Sequence, residues 1–253
     1  MTKFFDEKLA YTQYGSGERL LVILHGWGCN KELFSAVAEH FSAGYTVVVP
    51  DLPGFGESPE PSEPYSVGDC TELLVKFIES LGFDRVSLLG HSYGGRLIIK
   101  LFSCGKLPFT VEKVCLTDAA GIRPKKTMGQ RISLLCYKGG RRILSLPPLR
   151  RLFPNAIENW RKKRGSADFN NASEIMKKTL VLAVNEDLTN CLKNITCPTL
   201  LFWGDKDDAT PLSDAKIMEK KIPDAGLVVL QGGTHYAFLE NTPYFLRVLD
   251  AFF

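Results

Sequence analysis

Ser92 lies in Gly90-His91-Ser92-Tyr93-Gly94, a G-x-S-x-G spacing set between two apolar stretches, Val86 to Leu89 and Leu97 to Phe102. A serine hydroxyl is a poor nucleophile near neutral pH. It needs a base within roughly 2.6–3.2 Å and a third group to orient that base. The spacing fits a strained strand-to-helix turn that projects the hydroxyl clear of the backbone. Glycine at 90 and 94 lets neighbouring chain come close to that turn. A helix starting just after Ser92 would aim free N–H groups and its positive end at an anion forming on a substrate.

Four histidines could supply the base. His25 and His91 sit in turns bordering the serine, and His40 ends an amphipathic stretch and reads as a surface residue. His235, in Gly232-Gly233-Thr234-His235-Tyr236, follows the last apolar strand and is the expected base. The orienting acid should fall between Ser92 and His235 in chain order. Asp205, Asp207 and Asp208 follow one expected strand and Asp118 follows another, and the residues alone leave all four open. An acid of this kind fixes the imidazole tautomer and stabilises the imidazolium without taking the proton. An oxyanion needs donors in place before reaction. The amide of Tyr93 is one candidate, and that of Trp27, in the turn His25-Gly26-Trp27-Gly28, is the other.

The elements that must position these residues alternate. Expected strands are Lys8–Tyr14, Leu20–Leu24, Tyr45–Val49, Val86–Leu89, Val111–Thr117, Thr199–Trp203 and Leu227–Leu230. Expected helices are Leu33–Phe41, Val67–Leu81 behind a Ser66/Asp69 capping box, the stretch through Phe102, Leu212–Lys221 and Phe245–Phe253. Unbroken apolar strands alternating with helices imply an α/β, doubly wound, mostly parallel sheet covered on both faces. The alternation breaks at Gly121. Residues 122–194 carry no clear strand and read as an inserted helical lid, which leaves 1–121 and 195–253 as the core.

The 253-residue chain has a formal charge of +3, unevenly spread. In 122–194 basic residues outnumber acids by about ten, and the remainder is net acidic. That asymmetry invites an interaction with something anionic. No nucleic-acid motif accompanies it. No apolar run approaches the ~18 residues that span a bilayer, and the N-terminus has no apolar signal core. Seven scattered cysteines without metal-type spacing read as reduced, mostly buried thiols of a cytoplasmic protein.

Together, His25-Gly26-Trp27-Gly28, Asp51-Leu52-Pro53-Gly54-Phe55-Gly56-Glu57-Ser58, Gly90 to Gly95, Trp203-Gly204-Asp205-Lys206-Asp207 with Pro211, and Gly233-Thr234-His235 with Glu240 and Pro243 resemble the α/β-hydrolase fold. The resemblance implies Asp207 as the acid, four residues before the proline. It also implies the amides of Trp27 and Tyr93 as the oxyanion hole, and a cap where the insertion falls. Within that fold, H-G-W-G and D-L-P-G-F-G are similar to small bacterial esterases related to pimeloyl-acyl-carrier-protein methyl ester esterase, whose basic lid meets an acidic carrier protein. The elbow departs from that subgroup's G-W-S-L-G.

The expectation is a monomeric or weakly dimeric serine hydrolase that cleaves a carboxylic ester and needs no metal or organic cofactor. Its substrate would be a small-molecule ester, with an anionic or acyl-carrier-linked acyl group favoured by the basic insertion. Carbon–carbon bond hydrolysis, perhydrolysis and a ligand receptor built on the same scaffold are the rival readings.

Overall fold

The computed structural model describes residues 1–123 and 172–253. Apolar runs fill the middle of one sheet. Its strands are β1 (Lys3–Phe5), β2 (Leu9–Tyr14), β3 (Arg19–Leu24), β4 (Tyr45–Pro50), β5 (Arg85–His91), β6 (Thr110–Thr117), β7 (Thr199–Gly204) and β8 (Ala225–Leu230). They lie in the order β1-β2-β4-β3-β5-β6-β7-β8. The β1–β2 and β2–β4 pairings are antiparallel, and the other pairings are parallel. Every residue of β4 and of β7 is buried, as a strand covered on both faces requires.

The helices are α1 (Ser35–Phe41), α2 (Val67–Ser80), α3 (Tyr93–Leu101), α4 (Glu174–Asn185), α5 (Leu212–Lys221) and α6 (Thr242–Phe252), with a short helical turn at Ala237–Glu240. Strand periodicity of two divides the core. Leu20, Val22 and Leu24 of β3 face one apolar layer, shared with Leu74 and Phe77 of α2 and Leu97 of α3. Leu21 and Ile23 face the other, shared with Val37 and Phe41 of α1 and Phe245 and Leu249 of α6. The helix start read from Ser66 is there: Asp69 N–H donates to Ser66 Oγ at 3.2 Å and Ser66 N–H to Asp69 Oδ2 at 2.7 Å. Gly82, at φ +76, follows the end of α2.

One element departs from the sequence reading. Strand β1 is an edge strand of three residues, too short to leave an alternation pattern. It joins β2 through Asp6, Glu7 and Lys8; Asp6 and Glu7 have φ 49 and 55, and Lys8 N–H donates to Phe5 O at 2.9 Å to close the turn. Helix α3 begins at Tyr93, directly after Ser92, as the serine turn implied.

The order of strands has one consequence for the site. From β3 the chain moves outward to β4, then returns to lay β5 on the other side of β3. Such a reversal opens a crevice at the carboxyl ends of the two central strands. The turn holding Trp27 follows β3, and Ser92 follows β5.

The sheet is interrupted after β6. The N–H of Leu188 donates to the carbonyl of Gly121 at 2.9 Å, so the departing and returning chains meet. Residues 124–171 lie outside the described residues, and with them the Leu146–Leu149 stretch and most of the expected lid. The described part of 122–194 contains α4 and a single 3-10 turn, Leu192–Asn194. Leu188 and Leu192 are buried in the same apolar layer as Trp203. Behind α4, Arg96 Nη1 donates to the carbonyl of Glu186 at 2.8 Å and Lys100 Nζ to its carboxylate at 2.7 Å. Among the described residues no helix is long and apolar enough to cross a membrane.

Candidate active site

Ser92 stands between β5 and α3 with φ 50 and ψ −111. A non-glycine residue there carries strain of about 1–3 kcal/mol, which the surroundings must over-determine. They do so from both sides. Ser92 N–H donates to Thr117 O at 3.2 Å, and Ser92 O accepts from Ala120 N–H at 2.9 Å and Arg96 N–H at 3.1 Å. Close approach explains the flanking glycines. A Cβ on Gly94 would stand 2.3 Å from the carbonyl oxygen of Leu24, and one on Gly90 2.7 Å from the Gly95 nitrogen.

His235 reaches this turn from the loop after β8. Its Nε2 lies 3.0 Å from Ser92 Oγ, and its Nδ1 lies 2.8 Å from Asp207 Oδ2. Asp207 sits in the loop after β7, its side chain closed to solvent. Burial pushes its carboxyl upward in pKa. The bond to His235 and those from Thr210 overcome that and hold it below the usual carboxylate value. Its Oδ1 accepts N–H groups of Ala209 at 2.8 Å and Thr210 at 2.9 Å. An ionised carboxylate only accepts, so Nδ1 of His235 carries the proton. That leaves Nε2 as an acceptor facing the serine hydroxyl, the tautomer a base requires.

The structure separates the four carboxylates that the sequence left open. Asp205 accepts Gly232 N–H at 2.6 Å and so braces the loop before His235. Asp208 is exposed. Asp118, at the end of β6 with φ 45, is fully buried. Its Oδ1 accepts Gly204 N–H at 2.9 Å, and its Oδ2 lies 3.1 Å from Thr117 Oγ1. Burial above all, with Asp207 nearby, raises its carboxyl to a pKa of about 7.

Thr210 was not read from the sequence. Its hydroxyl lies 2.6 Å from Asp207 Oδ2 and 3.3 Å from His235 Nδ1. Its place one residue before Pro211, in the loop that already offered three aspartates, is the signal that could have found it.

The remaining histidines divide as their surroundings dictate. His40 is exposed and lies 2.7 Å from Asp250. His25 is buried; Nδ1 donates to Gly26 O at 2.7 Å and Nε2 accepts Leu52 N–H at 2.9 Å. Burial lowers its pKa to about 4. Burial, then the neighbouring His235, lowers that of His91 to about 3. Both are neutral rings near neutral pH. Trp27 packs edge-on against Phe55 at 4.9 Å and Tyr93 at 5.3 Å between ring centroids. The Tyr93 hydroxyl turns inward to Cys70 Sγ at 3.3 Å, while its backbone opens α3 directly after Ser92. Among the described cysteines, Cys70, Cys115 and Cys197 are buried, Cys29 and Cys191 half-buried, and Cys104 exposed.

Ser92, His235 and Asp207, from three separate loops, thus form one hydrogen-bonded chain. Comparison with known proteins decides the family: the family described as the alpha/beta hydrolase family matches residues 21–245. The chain belongs to that family.

This hydrolase is similar over most of its length to curated proteins. "Lipase 1" of Psychrobacter immobilis is 28% identical, with 99% of this chain and 84% of that protein covered. The pimeloyl-[acyl-carrier protein] methyl ester esterase of Legionella pneumophila (strain Paris) is 26% identical, with 92% of this chain and 94% of that protein covered. Among solved structures, an esterase from Exiguobacterium antarcticum superposes with a TM-score of 0.74 at 25% identity, covering 96% of this chain and 94% of that one. Trp27, Ser92, Tyr93, Asp207 and His235 of the hydrolase all fall inside the matched span.

Proposed function

We propose that this hydrolase cleaves carboxylic esters through Ser92, His235 and Asp207. The observation that carries the reading is the position of His235, bonded on one side to Ser92 Oγ and on the other to Asp207. His235 Nε2 takes the proton of Ser92 Oγ as that oxygen attacks the ester carbonyl, and Asp207 stabilises the imidazolium. The amides of Trp27 and Tyr93 receive the oxyanion. The imidazolium then protonates the departing alkoxide. Water, deprotonated by the same His235, releases the acid from Ser92. The names of the similar esterases and lipase support the reaction class.

A fluorophosphonate probe and a p-nitrophenyl ester test it together. The wild-type protein labels at Ser92 and turns over. Ser92→Ala does neither, with a loss in kcat of about 10⁶-fold if the three residues act as a unit. Ordinary turnover by Ser92→Ala ends the proposal.

For the substrate, the uneven charge of the chain favours an anionic ester. The basic insertion would cap the site and meet a carboxylate, a phosphopantetheine or an acidic acyl-carrier protein. The charge difference between 122–194 and the rest supports this, as does the name of the Legionella relative. Screening acts over about 8–10 Å at moderate ionic strength. Turnover of an anionic ester should therefore fall with added salt while that of a neutral one holds. Equal responses would refute it. The scattered, odd-numbered cysteines of the sequence favour a cytoplasmic setting.

A further inference from the structure

His91 is the last residue of β5 and the chain neighbour of Ser92, and it is fully buried. Its Nε2 lies 2.8 Å from the backbone carbonyl oxygen of His235. A carbonyl only accepts, so Nε2 carries the ring proton and donates it there. The ring also packs against His235, Tyr236 and Phe238, with centroids 4.9, 5.1 and 5.0 Å away. Its other nitrogen, Nδ1, is buried and has no hydrogen-bond partner among the described residues. That atom faces the loop after β3: a Cβ on Gly26 would stand 2.7 Å from it and 3.1 Å from the Cβ of Ser92. One side chain thus meets the loop bearing Trp27, the loop bearing His235, and the turn bearing Ser92.

Packing alone gives no reason for an imidazole here. A buried acceptor without a partner costs stability, and a phenyl ring of similar size would fill the space without that cost. The donor at Nε2 supplies the reason. Other bonds hold the His235 loop at its exposed rim, where Asp205 takes Gly232 N–H at 2.6 Å and Glu240 takes Thr234 N–H at 2.8 Å. Neither reaches the backbone of His235 itself. The bond from His91 does, and it springs from the residue next to the serine.

We infer that His91 is a positioning residue: by holding the carbonyl of His235 it sets the approach of His235 Nε2 to Ser92 Oγ. This rests on the reading of His235 as the base of Ser92. The leverage is geometric, since a displacement of about 1 Å at a reacting pair can cost about 100-fold in rate.

Three variants test the inference. His91→Phe keeps the ring and removes the donor. His91→Gln replaces the donor with an amide of similar reach. His91→Asn keeps an amide too short to reach the carbonyl. For each, kcat and KM on a p-nitrophenyl ester, the fluorophosphonate labelling rate of Ser92 and the Tm are measured. His91→Phe is expected to lose about 10–100-fold in kcat and in labelling rate, with KM within about twofold of wild type. His91→Gln should recover most of the loss, and His91→Asn should not. Wild-type kcat in His91→Phe overturns the inference. So does equal loss in the Phe and Gln variants that tracks their Tm. If His91→Phe does not fold, wild-type kcat in His91→Asn overturns it. A wild-type protein that neither labels nor turns over removes the base role of His235 and this inference together. Activity that is indifferent to position 91 removes the inference alone.

Discussion

Asp207 divides its two oxygens: Oδ2 meets Nδ1 of His235 at 2.8 Å, and Oδ1 takes the backbone N–H groups of Ala209 and Thr210. The backbone pair fixes the carboxylate plane, and the carboxylate fixes the ring. Asp207→Asn keeps the shape but offers Nδ1 a donor or a weaker acceptor, which favours the wrong tautomer. A loss of about 10⁴-fold in kcat is expected, as for the equivalent change in a comparable triad. KM on the same ester should change little. A steady-state comparison reads both, and a loss confined to KM would contradict the assigned role.

Gly94 should not tolerate any side chain. A Cβ there falls 2.3 Å from the carbonyl of Leu24, which belongs to a central strand and cannot give way. Gly94→Ala is expected to lose soluble expression or fall by several degrees in Tm. Gly44→Ala is the control. A Cβ on Gly44 meets nothing within 4 Å, so its change should stay within about 0.5 kcal/mol.

Stability should fall on the acid side of pH 6.5. Folded His25 and His91 have pKa values lowered by burial to about 4 and about 3. The unfolded chain binds protons from about pH 6.5 downward. Between that value and the folded values the unfolded state therefore holds more protons, and stability declines as pH falls. In urea midpoints measured from pH 7.5 to 4.5 these two histidines should contribute an uptake approaching two protons, offset by about one at Asp118. Asp118 acts with the opposite sign. Its folded pKa is raised, so its contribution is present below about pH 3.9 and is lost as pH rises through about 7. Asp118→Asn should then stabilise the protein more at pH 8 than at pH 5. A pH-independent effect would show that burial of its charge is not the cause.

Arg96 and Lys100 both reach Glu186, yet the two contacts should differ in worth. Arg96 is almost wholly buried, and its Nη1 holds the carbonyl that closes α4. Arg96→Met leaves that carbonyl without its donor and should cost about 1–3 kcal/mol in chemical denaturation. The Lys100 pair is partly exposed. Lys100→Ala should cost less than about 1 kcal/mol.

How much of this could be read from the chain varied with distance along it. Ser92 was legible because its turn constrains its own neighbours, Gly90 and Gly94. His235 was legible because it follows the last apolar run. Asp207 was not separable from Asp205, Asp208 and Asp118 by its local pattern, since what distinguishes it is the bend that directs one carboxyl inward and the others elsewhere. Only the resemblance singled it out. Thr210 and the donor role of His91 escaped for a related reason: their partners come from other loops, and nothing in the adjacent sequence records them. Strand β1 escaped because three edge residues show no period.

The bond between Gly121 and Leu188 has a wider meaning. The ends of the inserted stretch are held together by the core itself, while α4 packs Ala183 against that core and Glu186 takes bonds from α3. Where ends are already joined, lengthening a flexible connection adds about 0.6 kcal/mol per doubling. Sequence ahead of α4 can therefore be exchanged for another of different length and charge while β6, β7 and the serine turn stay as they are. Chimeras that retain α4 would give one engine interchangeable mouths.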